Sequence, residues 1–191
     1  MAKVKAYNED LRQVVHMLVG VAAVLSVLFI GFNSALLLMA GIFLAGFVLA
    51  NFKILGGKVK FVENFLTLLD RNVPVPGQGA MFYAVGILLS LLFIHPLEFA
   101  LGVIMLHAVG DAFATIVGKR FKSPLQWNSN KSWSGLAAFT VFGLLVSSFF
   151  IPLYAAVLYA VVLGVVESIS MQVDDNVTVP IAALVLRGFG I

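Results

Sequence analysis

"LEFALGVIMLHAVGDAFATIVGKRF", residues 97–121, decides what kind of protein this is. Residues 97–117 are apolar enough to cross a bilayer, yet His107 and Asp111 lie well inside them. An aspartate near the centre of a membrane helix costs roughly 2.5–3.5 kcal/mol on insertion scales. Something on the protein side must offset that cost. An intramembrane carboxyl is therefore read as functional before it is read as a structural hydrogen bond between helices.

The rest of the chain has the same character. Of 191 residues, 61% are hydrophobic and 11% charged, where a soluble domain carries about 25% charged residues. Apolar runs recur along the whole length and leave no soluble core. The composition predicts an all-α polytopic membrane protein, one domain over residues 1–191. The first run, 14–32, lacks a small-residue cleavage site and reads as a retained helix rather than a signal peptide. There is no cysteine, which excludes disulfides, thiolate metal sites and cysteine nucleophiles. The net charge of +3 does not argue for nucleic acid, because in a membrane protein the placement of charge matters more than its sum.

Seven spans are expected: 14–32, 35–51, 81–95, 97–117, 135–150, 153–168 and 177–191. "GFNS", "HPLE" and "FFIPLY" are tight connections without Lys or Arg. The basic residues collect elsewhere: Lys3, Lys5 and Arg12; Lys53, Lys58, Lys60 and Arg71; Lys119, Arg120, Lys122 and Lys131. Of the twelve Lys and Arg, only Arg187 falls outside that side. The positive-inside rule makes it cytoplasmic, with the N-terminus in and the C-terminus out. Between the second and third spans, Val59, Val62, Leu66 and Leu69 recur at helical spacing. An amphipathic segment near 58–70 is expected there, on the inner leaflet or as a plain linker helix.

The polar residues of the spans gather at the same side. Arg12 and His16, four apart, share a helix face. His107, Asp111 and Thr115 share another, with Asp111 ~9 Å above the inner end of its span. Glu167 closes the sixth span, and Asp174, Asp175 and Asn176 follow it. Carboxylates facing basic loops suit a metal–nucleotide site, in which oxygen ligands hold a hard cation such as Mg²⁺ and Lys or Arg neutralises phosphates. Familiar nucleotide loops are absent. "GQGAMF" (77–82) lacks the third glycine of GxGxxG, and "GDAFATIVGKR" (110–120) spaces its glycines too widely for a P-loop.

Three strings in order, "GDAFATIVGKRF", "QWNSNKSWSG" and "ESISMQVDDNVTVP", resemble the CTP-dependent polyprenol kinase family, which includes dolichol and phytol kinases. Weaker echoes lie in "RQVVH" and "PGQGAMFYAVG". The resemblance implies transfer of the CTP γ-phosphate to an isoprenoid alcohol with a divalent metal such as Mg²⁺. By position it implies nucleotide binding by Gly110, Gly118, Lys131, Ser132, Gly135 and Asn176, and the basic side chains of Lys119 and Arg120 are available for the triphosphate. It implies metal binding by Glu167, Asp174 and Asp175, and catalysis by Asp111 and Lys131. Asp111 is left as either proton acceptor or metal ligand. Arg12, His16, His107, Gly77 and Gly79 are secondary candidates. Many members carry glutamate where this chain has Ser134. The expected setting is an integral protein of a prokaryotic cell membrane, its site facing the cytoplasm. The alcohol stays open among dolichol, phytol, geranylgeraniol and diacylglycerol. Two other readings compete: a CTP-dependent lipid cytidylyltransferase, whose late lysine-aspartate signature is missing here, and a small proton- or ion-coupled transporter using Asp111 and His107. A relay would continue across the bilayer, whereas these charges stop on one side.

Overall fold

The computed structural model describes residues 7–60, 62–63, 69–70, 75–169, 171 and 173–190. Lys3, Lys5, Arg71, Leu66 and much of the expected amphipathic segment near 58–70 lie outside the described residues. Those described form seven helices: α1 (Glu9–Ile30), α2 (Phe32–Ile54), α3 (Gln78–Phe93), α4 (Leu97–Arg120), α5 (Trp133–Ser147), α6 (Leu153–Ser168) and α7 (Asp175–Gly188). Among the described residues there is no strand, only an isolated bridge between Pro124 and Ser132. α1, α2 and α4 are long and apolar enough to cross a membrane, and α3, α5 and α6 are shorter apolar helices.

Local signals set the helix ends. Asn8 caps α1 by accepting from the Leu11 N–H at 3.0 Å, and Glu9 and Asp10 occupy the first turn, where the helix dipole favours acid. Gly31, with φ 81°, ends α1 and starts α2 without an intervening loop. A residue with a Cβ adopts that φ only at a cost, which is why a glycine sits there. Ser132 caps α5 through the Gly135 N–H, and Asp174 caps α7 through the Asn176 N–H.

The helices alternate in direction around α4, which packs against α1, α3, α5, α6 and α7. Residues 100–104, 106–112 and 114 of α4 are buried. In lipid the helices gain little from hydrophobicity against one another, so close packing of small residues has to supply the cohesion. α4 presents Gly110, Ala114 and Gly118 at four-residue spacing to α5. A Cβ on Gly110 would lie 3.1 Å from the Phe139 ring, one on Gly118 2.7 Å from Ser132 Oγ, and one on Gly135 2.9 Å from the Ala114 carbonyl oxygen. α2 is the opposite case: only Ala35 and Ala50 are buried, while Leu37, Leu44, Phe47 and Val48 are exposed. Such a surface suits hydrocarbon, not water.

This alternation brings the start of α1, α3, α5 and α7 to one end with the finish of α4 and α6. Arg187, the basic residue outside the charge pattern, sits at the other end. There its Nε donates to the His95 carbonyl at 2.5 Å and its guanidinium covers the Phe99 ring at 4.3 Å.

Candidate functional site

Three carboxylates converge at the first end. Asp111 comes from α4, Glu167 from the last turn of α6 and Asp175 from the first turn of α7, with ligand oxygens within 4.8 Å of one another. Asp111 and Glu167 are buried, and Asp175 is partly so. Like charges held this close in a poorly polarisable setting repel strongly, so the group requires positive charge.

Lys131 supplies part of it. Its Nζ is hydrogen-bonded to Glu167 Oε1 and lies 3.3 Å from Asp175 Oδ2. Burial works against the ammonium, but Glu167, Asp175 and Asp111 outweigh it and hold its pKa above the usual lysine value. The loop preceding α5 places this lysine. Asn128, itself buried, donates to the Ser168 carbonyl at 3.0 Å, and Trp127 Nε1 donates to Ser168 Oγ at 3.1 Å. The N–H of Leu125 reaches the Lys131 carbonyl and the N–H of Lys131 the Asn128 carbonyl. "QWNSNK" is thereby fastened to the end of α6, with its lysine over Glu167. One ammonium against three carboxylates leaves an excess of two negative charges if all are ionised. Oxygen donors with that excess fit a hard divalent cation.

α1 closes the other side of Asp111. His16 Nε2 lies 3.7 Å from Asp111 Oδ2. The Gln13 amide lies between the Asp111 carboxylate and the Arg12 guanidinium; turned so that its nitrogen faces Asp111 Oδ2, 3.1 Å away, its oxygen accepts from Arg12 Nη2 and Thr115 Oγ1, each at 2.8 Å. Arg12 also pairs with Glu9 at 2.6 Å. The His16 ring stacks on Tyr83 of α3, with centroids 3.6 Å apart, and His107 meets both rings edge-on.

Two cavities flank this cluster. The polar one, of about 1190 Å³, holds Asp111, Glu167 and Asp175 together with Lys119, Lys122 and Lys131. It exceeds the ~300–1,000 Å³ of ordinary ligand pockets. The other, of about 430 Å³, lies among α1, α2 and α3 with the start of α7 beside it; most of its lining is apolar, and Arg12, His16, Asp70, Tyr83, Asp174 and Asn176 are its polar residues.

The sequence-expected residues divide accordingly. Asp111, Lys131, Glu167 and Asp175 come together, and Gly118, Lys119, Ser132 and Gly135 also line the polar cavity. Asp174 neighbours Asp175 but is not one of the three carboxylates whose oxygens converge. Its Oδ1 accepts from the Asn176 N–H at 3.0 Å and from Nδ2 at 2.7 Å, so it serves as the cap of α7. Burial and the neighbouring Asp175 raise its pKa, against the hydrogen bonds from Asn176. Asp174, Asn176, Gly77 and Gly79 line the apolar cavity instead. Gly110 is packed beneath Phe139, and Arg120 lines neither cavity. His107 is buried against His16 and Tyr83. Ser134, at the family's glutamate position, donates to the Phe121 carbonyl at 2.6 Å.

Two contributors were missed. Gln13 is fully buried, and a lone amide between Arg12 and His16 in an otherwise apolar run was the available signal. Tyr83 carried no signal, since a tyrosine in an apolar helix reads as packing.

Three relatives set the context. An uncharacterized protein of Methanocaldococcus jannaschii is 29% identical over 175 residues, 91% of this chain and 89% of its own. A probable chloroplastic phytol kinase of Triticum aestivum is 32% identical over 129 residues, 57% of this chain. Phytol kinase 1 of Arabidopsis thaliana is 31% identical over 127 residues. The matched stretches span 43% of the wheat protein and 41% of the Arabidopsis protein. No family model matches the chain, and no solved structure matches it. The chain is thus an all-helical, membrane-associated protein similar to phytol kinases over about half its length.

Proposed function

We propose that this chain is a lipid-alcohol kinase of the polyprenol and phytol kinase family. In this reading it transfers the γ-phosphate of CTP to a membrane isoprenoid alcohol with the help of Mg²⁺. All seven helices span or enter the bilayer as one domain, the N-terminus and the site facing the cytoplasm. The observation that carries the reading is the meeting of Asp111, Glu167, Asp175 and Lys131 beside a large polar cavity rimmed with lysines. The similarity to phytol kinases supports the choice of acceptor.

Phosphoryl transfer depends on positioning and charge neutralisation more than on covalent help from the protein. Lys119, Lys122 and Lys131, which line the polar cavity, receive the triphosphate. Glu167 and Asp175 would hold a divalent cation, which when bound would neutralise phosphate oxygens, leaving Asp111 as the proton acceptor. The alcohol oxygen forms a bond to the γ-phosphorus as the bond from that phosphorus to the bridging oxygen breaks, leaving its electron pair on CDP. The hydroxyl proton passes to the Asp111 carboxylate, whose Oδ2 faces His16 and Gln13.

The test uses purified protein, Mg²⁺, isoprenoid alcohols and CTP labelled in the α or the γ position. A kinase places γ label and no α label in the lipid and releases CDP. Transfer of α label onto a lipid phosphate with release of pyrophosphate would instead make it a cytidylyltransferase, and no labelled lipid would overturn the reading.

A further inference from the structure

We infer that the cavity among α1, α2 and α3 seats the hydrocarbon chain of the acceptor alcohol. The hydroxyl is held at His16, and small side chains on α1 and α3 keep the channel open. The inference rests on the kinase reading for the identity of the occupant and deepens it by placing that substrate.

The starting observation is that the two cavities adjoin, and that His16 and Asp111 are one of the residue pairs across which they do so. His16 lines the apolar cavity, Asp111 lines the polar one, and the two side chains are 3.7 Å apart. Transfer between a charged donor and a greasy acceptor needs both reactants at one point without mixing their environments. A polar chamber and an apolar one on opposite sides of a histidine–carboxylate pair meet that need. Stacking on Tyr83 holds the His16 ring in place, so the cavity has a fixed polar end.

The walls suit a hydrocarbon. Val19 and Ala22 follow His16 along α1, with Val15 just before it, and Ala80, Ala84 and Ile87 line the cavity from α3. From Arg12 to Ala22, α1 covers about 15 Å at 1.5 Å per residue, half the depth of a ~30 Å hydrocarbon core. The head end therefore lies at one membrane surface and the tail end near mid-bilayer. Val19 of α1 and Ile42 of α2 line the cavity and are also exposed, so it opens sideways where hydrocarbon would surround the protein. A chain longer than the cavity leaves through that opening. Three of the wall positions are alanine, and any larger apolar side chain there would occupy the space.

The experiment uses the whole chain in nanodiscs and geranylgeraniol bearing a diazirine in its tail. After irradiation, label is expected on peptides of α1 and α3, suppressed by excess geranylgeraniol and not by excess phosphatidylcholine. Ala84→Phe should reduce that labelling at least fivefold and raise the KM for the alcohol about tenfold, with the KM for CTP unchanged. Ala22→Phe is the second variant, in case the first does not fold. Label confined to the outer faces of α2, α5 or α6, equal suppression by phospholipid, or unaltered labelling in a folded variant would each overturn the inference. Labelling at α1 and α3 without γ-phosphate transfer would overturn the kinase reading and leave the cavity assignment standing. Transfer with labelling elsewhere would do the reverse.

Discussion

His16 Nε2 approaches Asp111 Oδ2 at 3.7 Å, joining the first helix to the fourth across ninety-five positions of sequence (111 − 16). Both side chains are buried, and the Gln13 amide reaches the same carboxylate oxygen at 3.1 Å. The contact ties a membrane-depth carboxylate to an element far from it in the chain. It also bears on catalysis, because a proton leaving the acceptor hydroxyl must be received at this point. His16→Ala is expected to lower kcat at least about tenfold, equivalent to ~1.4 kcal/mol of barrier, with little change in the KM for CTP. Steady-state kinetics on the folded variant decides it; an unchanged kcat removes His16 from the reaction.

Asp174 and Asp175 are neighbours with separate tasks. Asp174 caps α7, while Asp175 faces Glu167 and Asp111. Asparagine is as good an N-cap as aspartate, so Asp174→Asn should leave stability and the Mg²⁺ response nearly intact. Asp175→Asn removes an anionic oxygen donor and should abolish Mg²⁺-dependent transfer at normal expression and membrane insertion. Mg²⁺ titrations of the two variants side by side test this. Equal behaviour would mean that the carboxylate cluster is not the cation site.

Lys131→Met should destabilise the protein, since it strips three carboxylates of their ammonium. Breaking a fully buried ion pair costs about 3–5 kcal/mol. Lys131 keeps 30% of its side chain exposed, so the loss should fall toward ~2–3 kcal/mol. Denaturant unfolding in detergent measures it, and Lys131→Arg should recover most of the stability. A Lys131→Met variant as stable as the parent would show that the carboxylates do not depend on this charge.

Gly135→Ala tests the packing assigned to the α4–α5 seam. The added methyl would fall 2.9 Å from the Ala114 carbonyl oxygen, a backbone atom with little freedom to yield. Overpacking of this kind costs about 1–3 kcal/mol, which should appear as a lowered Tm in the absence of any nucleotide. Gly79→Ala, where a Cβ would meet nothing within 4 Å, is the control and should keep its Tm. If Gly135→Ala instead keeps its Tm and loses only CTP binding, the glycine acts on the nucleotide directly.

Reporter fusions at Ser129 and Asn33 should report opposite sides of the membrane, Ser129 being cytoplasmic. Both on one side would refute the seven-span arrangement and the placement of the site at the inner surface.

The helical, membrane-associated character was readable from the chain alone, because apolar runs and capping residues act within a few positions of themselves. The seven expected segments and the helices agree to within a few residues at each end. The candidate carboxylates were readable too, since a charge inside an apolar run has few reasons to be there. Which of them meet was a matter of tertiary structure. Asp174 and Asp175 are chemically identical, and one step along the start of α7 turns a helix cap into a member of the cluster. Gly110 and Gly118 carried a motif in the sequence, yet what surrounds them is the Phe139 ring and the Ser132 cap, against which an added Cβ would be tight. The apolar cavity was invisible beforehand, because its walls are ordinary valines, alanines and isoleucines from three helices. No local pattern marks a space; it exists only once distant helices are set at a fixed separation by packing.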